Sequence, residues 1–338
     1  MRSLAPPVAL TMGEPAGIAA EITLKAWLAL RNTGSPFFVL QDFDHLSDAA
    51  GALSLSVPVI SISRSDEASE AFNEGLPVMS VPLKAPVAVG RPDPRNASSV
   101  VDAIRLATEM AASGPAAALV TNPIQKSALY EIGFCFPGHT EFLEHLAGPG
   151  HRATMMLASE QLKVIPVSIH EPLSAAVSGI STAKIVEVAR AADAGLRRDF
   201  GMERPRLAIA GLNPHAGEQG SMGREEIDVI MPAIETLGRE GIDAHGPFPP
   251  DTMFTARSRA GYDAAICMYH DQALIPIKTL DVDGGVNVTL GLPFVRTSPD
   301  HGTALDIAGK GIADPGSLVA AMRMAIRIAG HRGKGFGE

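Results

Sequence analysis

The stretch AAICMYH, residues 264–270, is a short apolar run that closes on a histidine. The pattern occurs twice more, in Val164–Ile169 followed by His170 and in Leu207–Leu212 followed by Asn213, Pro214 and His215. Each run is short and rich in Val, Ile, Leu and Ala, which predicts buried strands of a mostly parallel sheet. Ligands of open α/β sheets gather beyond the carboxyl ends of the strands. Three imidazoles delivered there suit one divalent ion with positions left open for substrate, as in catalytic metal sites. A nitrogen-rich set favours Zn²⁺, Co²⁺ or Ni²⁺ over Ca²⁺. His170, His215 and His270 are therefore candidate metal ligands. His45, His145, His151, His245 and His331 lack such settings and read as surface or cap residues.

Outward from these runs, strands are expected at Val8–Met12, Phe37–Gln41 and Ala116–Thr121. Helices are expected at Ile18–Leu30, Val100–Ala112 behind a Ser98-Ser99 cap, Ile124–Ile132, Thr140–Leu146, 182–199, 223–240 and Ser317–Ala329. Residues 51–96, punctuated by Pro58, Pro77, Pro82 and Pro86, read as short strands and loops. The Gly- and charge-rich tail 331–338 is expected to fray. Strand and helix alternate almost throughout, which predicts an α/β fold.

The bulk composition narrows the function. Of 338 residues, 46% are hydrophobic and 19% charged, with a net charge of −9 and no Lys/Arg cluster. Nucleic acid is excluded as a partner, because phosphate backbones are bound by dense basic surfaces. Aromatic residues, at 5%, are too few for a base-stacking module. Cys135 and Cys267 lie far apart with no CxxC spacing, which fits a reducing compartment. No run reaches the roughly 18–20 apolar residues that span a bilayer, and the first residues lack the apolar stretch of a signal peptide. A cytoplasmic enzyme with no membrane contact is expected.

Further polar motifs frame the chemistry expected at that sheet edge. His139 and Thr140 lie in a Gly/Pro-flanked turn that opens a helix, a setting for an anion or for a simple Thr140 cap. Lys278 and Arg296 carry the charges for a phosphate or carboxylate, Arg as a bidentate fork and Lys as a point charge. They flank a glycine-rich stretch that permits close backbone approach. Gly13–Gly17 follows the first strand but lacks the G-x-G-x-x-G spacing, so an ordinary Rossmann site is not supported.

Together the segments MGEPAGIAAEI (12–22), TNPIQKSAL (121–129), GHTEFL (138–143), LNPHAGEQGSMGREE (212–226), YHDQALIPIK (269–278) and NVTLGLPFVRTSPDHGTALDIAGKG (287–311) resemble the 4-hydroxythreonine-4-phosphate dehydrogenase family of vitamin B6 synthesis. The last segment is also similar to the H-G-S-A-P-D-I-A-G-K-G loop of isopropylmalate dehydrogenases, which bind NAD without a Rossmann motif. One departure is Ala19-Ala20, where the family usually carries Gly-Pro.

The resemblance implies an isopropylmalate-dehydrogenase-like fold, with two α/β/α lobes and a cleft between them. Residues 1–138 with 300–338 would form the first lobe and 139–299 the second. It implies that His170, His215 and His270 hold one divalent metal (Zn²⁺, Co²⁺ or Mg²⁺), with ligands drawn from both subunits of a homodimer. His139, Thr140, Lys278, Asn287 and Arg296 match the contacts to a small phosphorylated hydroxy acid. NAD or NADP would lie beside Ser298, Asp300, His301, Gly302 and Asp306. The implied reaction oxidises 4-phosphooxy-L-threonine to a β-keto acid that decarboxylates to 3-amino-2-oxopropyl phosphate. Asp251 and Lys278 are the candidate general bases. Two other readings stay open: a sister dehydrogenase acting on 4-phospho-erythronate or 4-phospho-threonate, and a non-catalytic metal- or phosphate-binding homologue.

Overall fold

The computed structural model describes residues 6–282 and 284–334. The expectation for the last four residues of the tail lies outside them. The chain forms two compact units, one from the chain up to Ala153 together with everything from Leu292 onward, the other from Thr154–Gly291. Their strands, in chain order, are β1 Val8–Thr11, β2 Phe37–Gln41, β3 Val59–Ile62, β4 Leu76–Ser80, β5 Ala118–Val120, β6 Thr154–Ala158, β7 Lys163–Pro166, β8 Arg206–Ala210, β9 Asp243–Phe248, β10 Ala264–Cys267, β11 Val286–Leu290 and β12 Arg296–Pro299.

In the first unit the strand order is β3-β4-β2-β1-β5-β12, parallel throughout. Parallel strands covered on both faces need apolar residues at every position. β1 and β2 are buried at every residue and apolar up to their last ones, Thr11 and Gln41. Helix Ala97–Ser113 covers one face through Val100, Ala103, Ile104, Ala107 and Ala111, at helical spacing, and stops at Gly114, whose φ is 111°. Leu119, Phe142 and Phe294 complete that core, each no more than 1% exposed. Truncating Phe142 to Ala is worth about 3–5 kcal/mol of stability.

In the second unit the order is β11-β6-β7-β10-β8-β9. β11, β6 and β7 pair antiparallel, whereas β7, β10, β8 and β9 run parallel. The expected mixture of strand and helix is therefore present, and the sheet is parallel where the three histidine runs sit. Helix Thr182–Phe200 begins on Ser181, whose side chain accepts from the Lys184 N–H, and ends on Gly201.

Several elements depart from expectation for identifiable reasons. Ser98-Ser99 do not cap their helix: it begins at Ala97, while Ser99 donates to the Pro82 carbonyl at 2.7 Å. Asn96 is occupied by Ala85 and Lys84 instead. Residues 51–96 hold short strands, β3 and β4, but also helix Ala68–Glu74, and helix Phe43–Ala52, capped by Asp42, precedes them. Helix 223–240 is interrupted: a wide turn over Glu226–Ile230 precedes Met231–Arg239. Pro232 lacks the N–H that a regular turn requires there. The three strands before the histidines also end two or three residues early, so the histidines lie on loops or at a helix start.

Candidate active site

β7, β10 and β8 are neighbours in that order, with Cys267 level with Pro166 and Ile266 level with Ile209. The chain leaves all three at one edge. His170 follows β7 by four residues, His215 follows β8 by five, and His270 opens helix His270–Leu280 just past β10. The His170 and His270 ring centroids are 5.9 Å apart. With Zn–N bonds of about 2.1 Å, two imidazoles on one ion have centroids roughly 5–6 Å apart, so this spacing fits. Both rings line a pocket of about 400 Å³ with Ser168, Glu171, Tyr269 and Asp271. Asp271 lies 2.7 Å from His270 Nδ1, which leaves Nε2 for a ligand, as a carboxylate partner does for metal-binding histidines.

His215 stands apart from this pair. Among the described residues of one chain, no group of three His, Cys, Asp or Glu surrounds a common point. His215 is exposed and begins a run of left-handed residues pinned on Glu226. Burial raises the Glu226 pKa, but hydrogen bonds from Asn213 and Leu212 outweigh it and hold the carboxyl below its ordinary range. Lys278 is exposed near the end of helix His270–Leu280. Asn287 is half-buried on β11, and Asp251 is exposed on the short turn Pro250–Met253.

In the first unit, three sequence motifs interlock beyond β1, β5 and β12. Gly13 has a φ of 66°, and a Cβ there would fall 2.6 Å from Asn122 Cβ and 2.8 Å from the Pro123 carbonyl oxygen. Glu14 N–H donates to that carbonyl at 2.9 Å, and Ile18 N–H donates to the Thr303 carbonyl at 3.1 Å. Glycine is thus required by close approach, the bland part of what a phosphate loop needs. The Glu14 carboxyl accepts from Ala16 N–H at 3.0 Å, yet burial raises its pKa. Ala19-Ala20 start a regular helix, Ala19–Leu30, and Glu21 takes N–H groups from Gly311 (3.3 Å) and Ala313 (2.8 Å). The Gly-Pro replacement therefore leaves a well-formed junction.

The same edge carries a cationic cradle. Arg296, 3% exposed, donates Nη2 to Thr121 Oγ1 at 2.8 Å. Burial pulls its pKa down to about 10, opposed by Glu141, so it stays charged at neutral pH. His139 opens helix His139–Ala147, with its Nε2 buried and making no hydrogen bond. Burial, then Arg296 and Lys126, hold the His139 pKa well below its ordinary value, so the ring is neutral. A buried imidazole nitrogen with no protein partner, beside a buried cation, leaves a polar position that a water or a ligand can meet. Thr140 sits inside the first turn and does not cap it.

The proposed cofactor residues run from Ser298 in β12 into the loop beyond it. Ser298 is buried, Asp300 N–H donates to Ser317 Oγ at 3.3 Å, and His301 Nδ1 lies 3.0 Å from the Gly302 carbonyl. His301 Nε2 is buried without a partner, whereas Gly302 and Asp306 are exposed. Thr121, Lys126, Glu141, Asp271 and Glu226 were not singled out in the sequence, although each lies within or beside a quoted motif. His45 is a correction: its ring donates to the Pro15 carbonyl, its Nε2 is buried, and burial lowers its pKa.

Comparison with known proteins bears on this arrangement. The family described as Pyridoxal phosphate biosynthetic protein PdxA matches residues 33–325. The 4-hydroxythreonine-4-phosphate dehydrogenase of Caulobacter vibrioides is 50% identical over 97% of this chain and 98% of its own. That of Maricaulis maris is 54% identical over 96% of this chain and 97% of its own. A crystal structure of 4-hydroxythreonine-4-phosphate dehydrogenase from Klebsiella pneumoniae superposes with a TM-score of 0.87 at 37% identity, over 96% of this chain and 99% of that one. With a family match across most of its length and relatives of this identity, the chain belongs to the PdxA family of pyridoxal phosphate biosynthetic proteins.

Proposed function

We propose that this chain is a nicotinamide-dinucleotide-dependent dehydrogenase that oxidises 4-phosphooxy-L-threonine with one divalent metal ion. The hydride of C3 passes to NAD or NADP and the hydroxyl proton to a base, which gives a β-keto acid. Loss of its carboxylate as CO₂ leaves an enolate, and protonation of that enolate at C2 yields 3-amino-2-oxopropyl phosphate, on the way to vitamin B6. The observation that carries this reading is the set of three histidines beyond adjacent parallel strands, in a chain 50–54% identical to curated dehydrogenases of that name.

In this reading His170 and His270 of one chain and His215 of a second copy hold the ion, in a homodimer with its active site at the subunit interface. Leu173 and Val177, one helical turn apart and 60% and 39% exposed, supply apolar surface beside the His170 pocket for such an interface. When bound, a Zn²⁺, Co²⁺ or Mg²⁺ ion is a Lewis acid that polarises the substrate hydroxyl and carbonyl. Arg296 pairs with the phosphate, with His139, Thr140, Lys278 and Asn287 as further contacts. Neutral His139 adds a hydrogen bond without adding charge. The dinucleotide takes Ser298, Asp300, His301, Gly302 and Asp306. Lys278 and Asp251 are the candidates to receive the proton. The two free thiols, Cys135 exposed and Cys267 buried, fit a cytoplasmic enzyme.

Steady-state turnover of 4-phosphooxy-L-threonine with NAD tests this reading. Exhaustive chelation abolishes activity and Zn²⁺ or Co²⁺ restores it. Full turnover by a protein shown metal-free by elemental analysis contradicts the metal assignment. A preference for 4-phospho-erythronate or 4-phospho-threonate overturns the substrate.

A further inference from the structure

We propose that Glu226 is the positioning residue that presents His215 to the metal. This rests on the assignment of His215 to the metal set made above. His215, Ala216, Gly217, Glu218 and Gln219 have φ values of 53°, 53°, 75°, 42° and 58°. Left-handed backbone is unfavourable for L-residues, and Gly217 is the single glycine among these five. Such a run persists only where its surroundings impose it.

The Glu226 carboxylate supplies that imposition. It is 2% exposed and receives three hydrogen bonds from the chain that leads into His215. Oε1 accepts from the Leu212 and Asn213 N–H groups at 2.8 and 2.7 Å, and Oε2 accepts from Asn213 Nδ2 at 3.0 Å. Asn213 Nδ2 also donates to Glu225 Oε2 at 2.7 Å, which fixes the orientation of the amide. The left-handed run then wraps the carboxylate: a Cβ on Gly217 would lie 2.5 Å from Glu226 Oε2. A Cβ on Gly211 would lie 3.3 Å from Oε1 and 2.9 Å from Ala216 Cα. Glu226 itself stands on the wide turn that enters helix Met231–Arg239. The loop that carries His215 therefore hangs from a carboxylate anchored on a helix, two residues before the imidazole.

The test compares Zn²⁺ affinity, by competition with a chelating dye, in full-length wild type, Glu226→Gln, His215→Ala and the double variant. Glutamine keeps the volume and one acceptor oxygen but turns an NH₂ toward Asn213 Nδ2, where two donors then face. Partners that orient metal ligands are typically worth about 10- to 100-fold in affinity, and that loss is expected for Glu226→Gln. Because the effect runs through His215, adding Glu226→Gln to His215→Ala produces no further loss. Gly217→Ala displaces the carboxylate without removing it and lowers affinity in the same direction, which keeps the test available should Glu226→Gln fail to fold. Arg206→Ala, which breaks the Arg206–Asp263 pair elsewhere in the unit, lowers Tm and leaves Zn²⁺ affinity unchanged. Equal losses from Glu226→Gln in both backgrounds, or wild-type affinity in Glu226→Gln, overturn the proposal. Unchanged affinity in His215→Ala removes His215 from the metal set, and the proposal falls with it. Weakened affinity in His215→Ala beside wild-type affinity in both Glu226→Gln and Gly217→Ala removes only the role of Glu226.

Discussion

The carboxyl edges of the two units hold their polar groups in opposite ways. In the first, Arg296 and the Nε2 of His139 are buried, and the surrounding turns are locked by backbone hydrogen bonds between Glu14 and Pro123 and between Ile18 and Thr303. In the second, His170 and His215 are exposed, and no third ligand joins the His170–His270 pair within the described residues of one chain. A buried cation is costly unless a counter-charge answers it; Glu141 answers Arg296 in part, and on the proposed reading the substrate anion adds to it. Exposed imidazoles cost little while unligated, which agrees with the proposal that a metal and another copy of the chain complete the second edge. On the proposed assignment, the charged end of the substrate and its reacting end demand different kinds of preparation.

The largest effect expected along this contrast is from His270→Ala or His170→Ala. Loss of a partner that merely orients a ligand costs about 10- to 100-fold in metal affinity, and loss of the ligand itself costs at least as much. Equilibrium dialysis against Zn²⁺ reads it directly, and unaltered binding removes that histidine from the set. Asp271→Asn, which leaves the ring but loosens its Nδ1 partner, falls within that 10- to 100-fold range. On the first edge, Arg296→Ala should cost about 1.5–3 kcal/mol, roughly ten- to hundred-fold in kcat/KM. The loss should be concentrated on phosphorylated substrate. An equal proportional loss on the dephosphorylated analogue assigns Arg296 to scaffold instead, and the same comparison on Lys278→Ala separates phosphate contact from base.

A smaller effect concerns pH. His139 has a folded pKa below its ordinary 6.5, so the unfolded chain takes up its proton first as the pH falls. Its contribution to stability is therefore full above about 6.5 and is lost as the pH drops toward the folded pKa. Chemical denaturation of wild type and His139→Gln across this window should show the wild type losing stability faster. Parallel curves would mean that the imidazole titrates alike in both states. Smallest of all, Arg224→Ala removes an exposed ion pair with Asp228 and should leave Tm unchanged within error.

The motif ends were legible because glycine, proline and histidine mark places where a chain must turn or offer a nitrogen. His170, His215 and His270 could be placed on one edge from the apolar runs before them, and the pairing of β7, β10 and β8 agrees. What escaped were groups whose role exists only in three dimensions. Lys126 and Glu141 matter through a histidine and an arginine distant in sequence, and Glu226 through a loop that folds back over it. Short elements were hidden for a different reason. Ala68–Glu74 offers only Ala68 and Phe72 as buried positions, too few for a helical period. β9 holds Gly246 and Pro247, which an outermost strand in this strand order tolerates. Helix His270–Leu280 contains Pro276, normally a reason to end a helix, so the histidine that opens it looked like the end of a strand.

The central claim, a metal site shared between two copies, is tested most directly by complementation between inactive variants. His170 and His270 lie together in one chain, with ring centroids 5.9 Å apart, and His215 is to come from the partner. Mixing refolded His215→Ala with His170→Ala should then create hybrid dimers with one intact site. Random pairing limits the recovery to about a quarter of wild-type activity. His170→Ala mixed with His270→Ala should recover none, because both changes strike the same in-chain pair. Recovery in that second mixture contradicts the in-chain pairing, and recovery in no mixture contradicts a shared site.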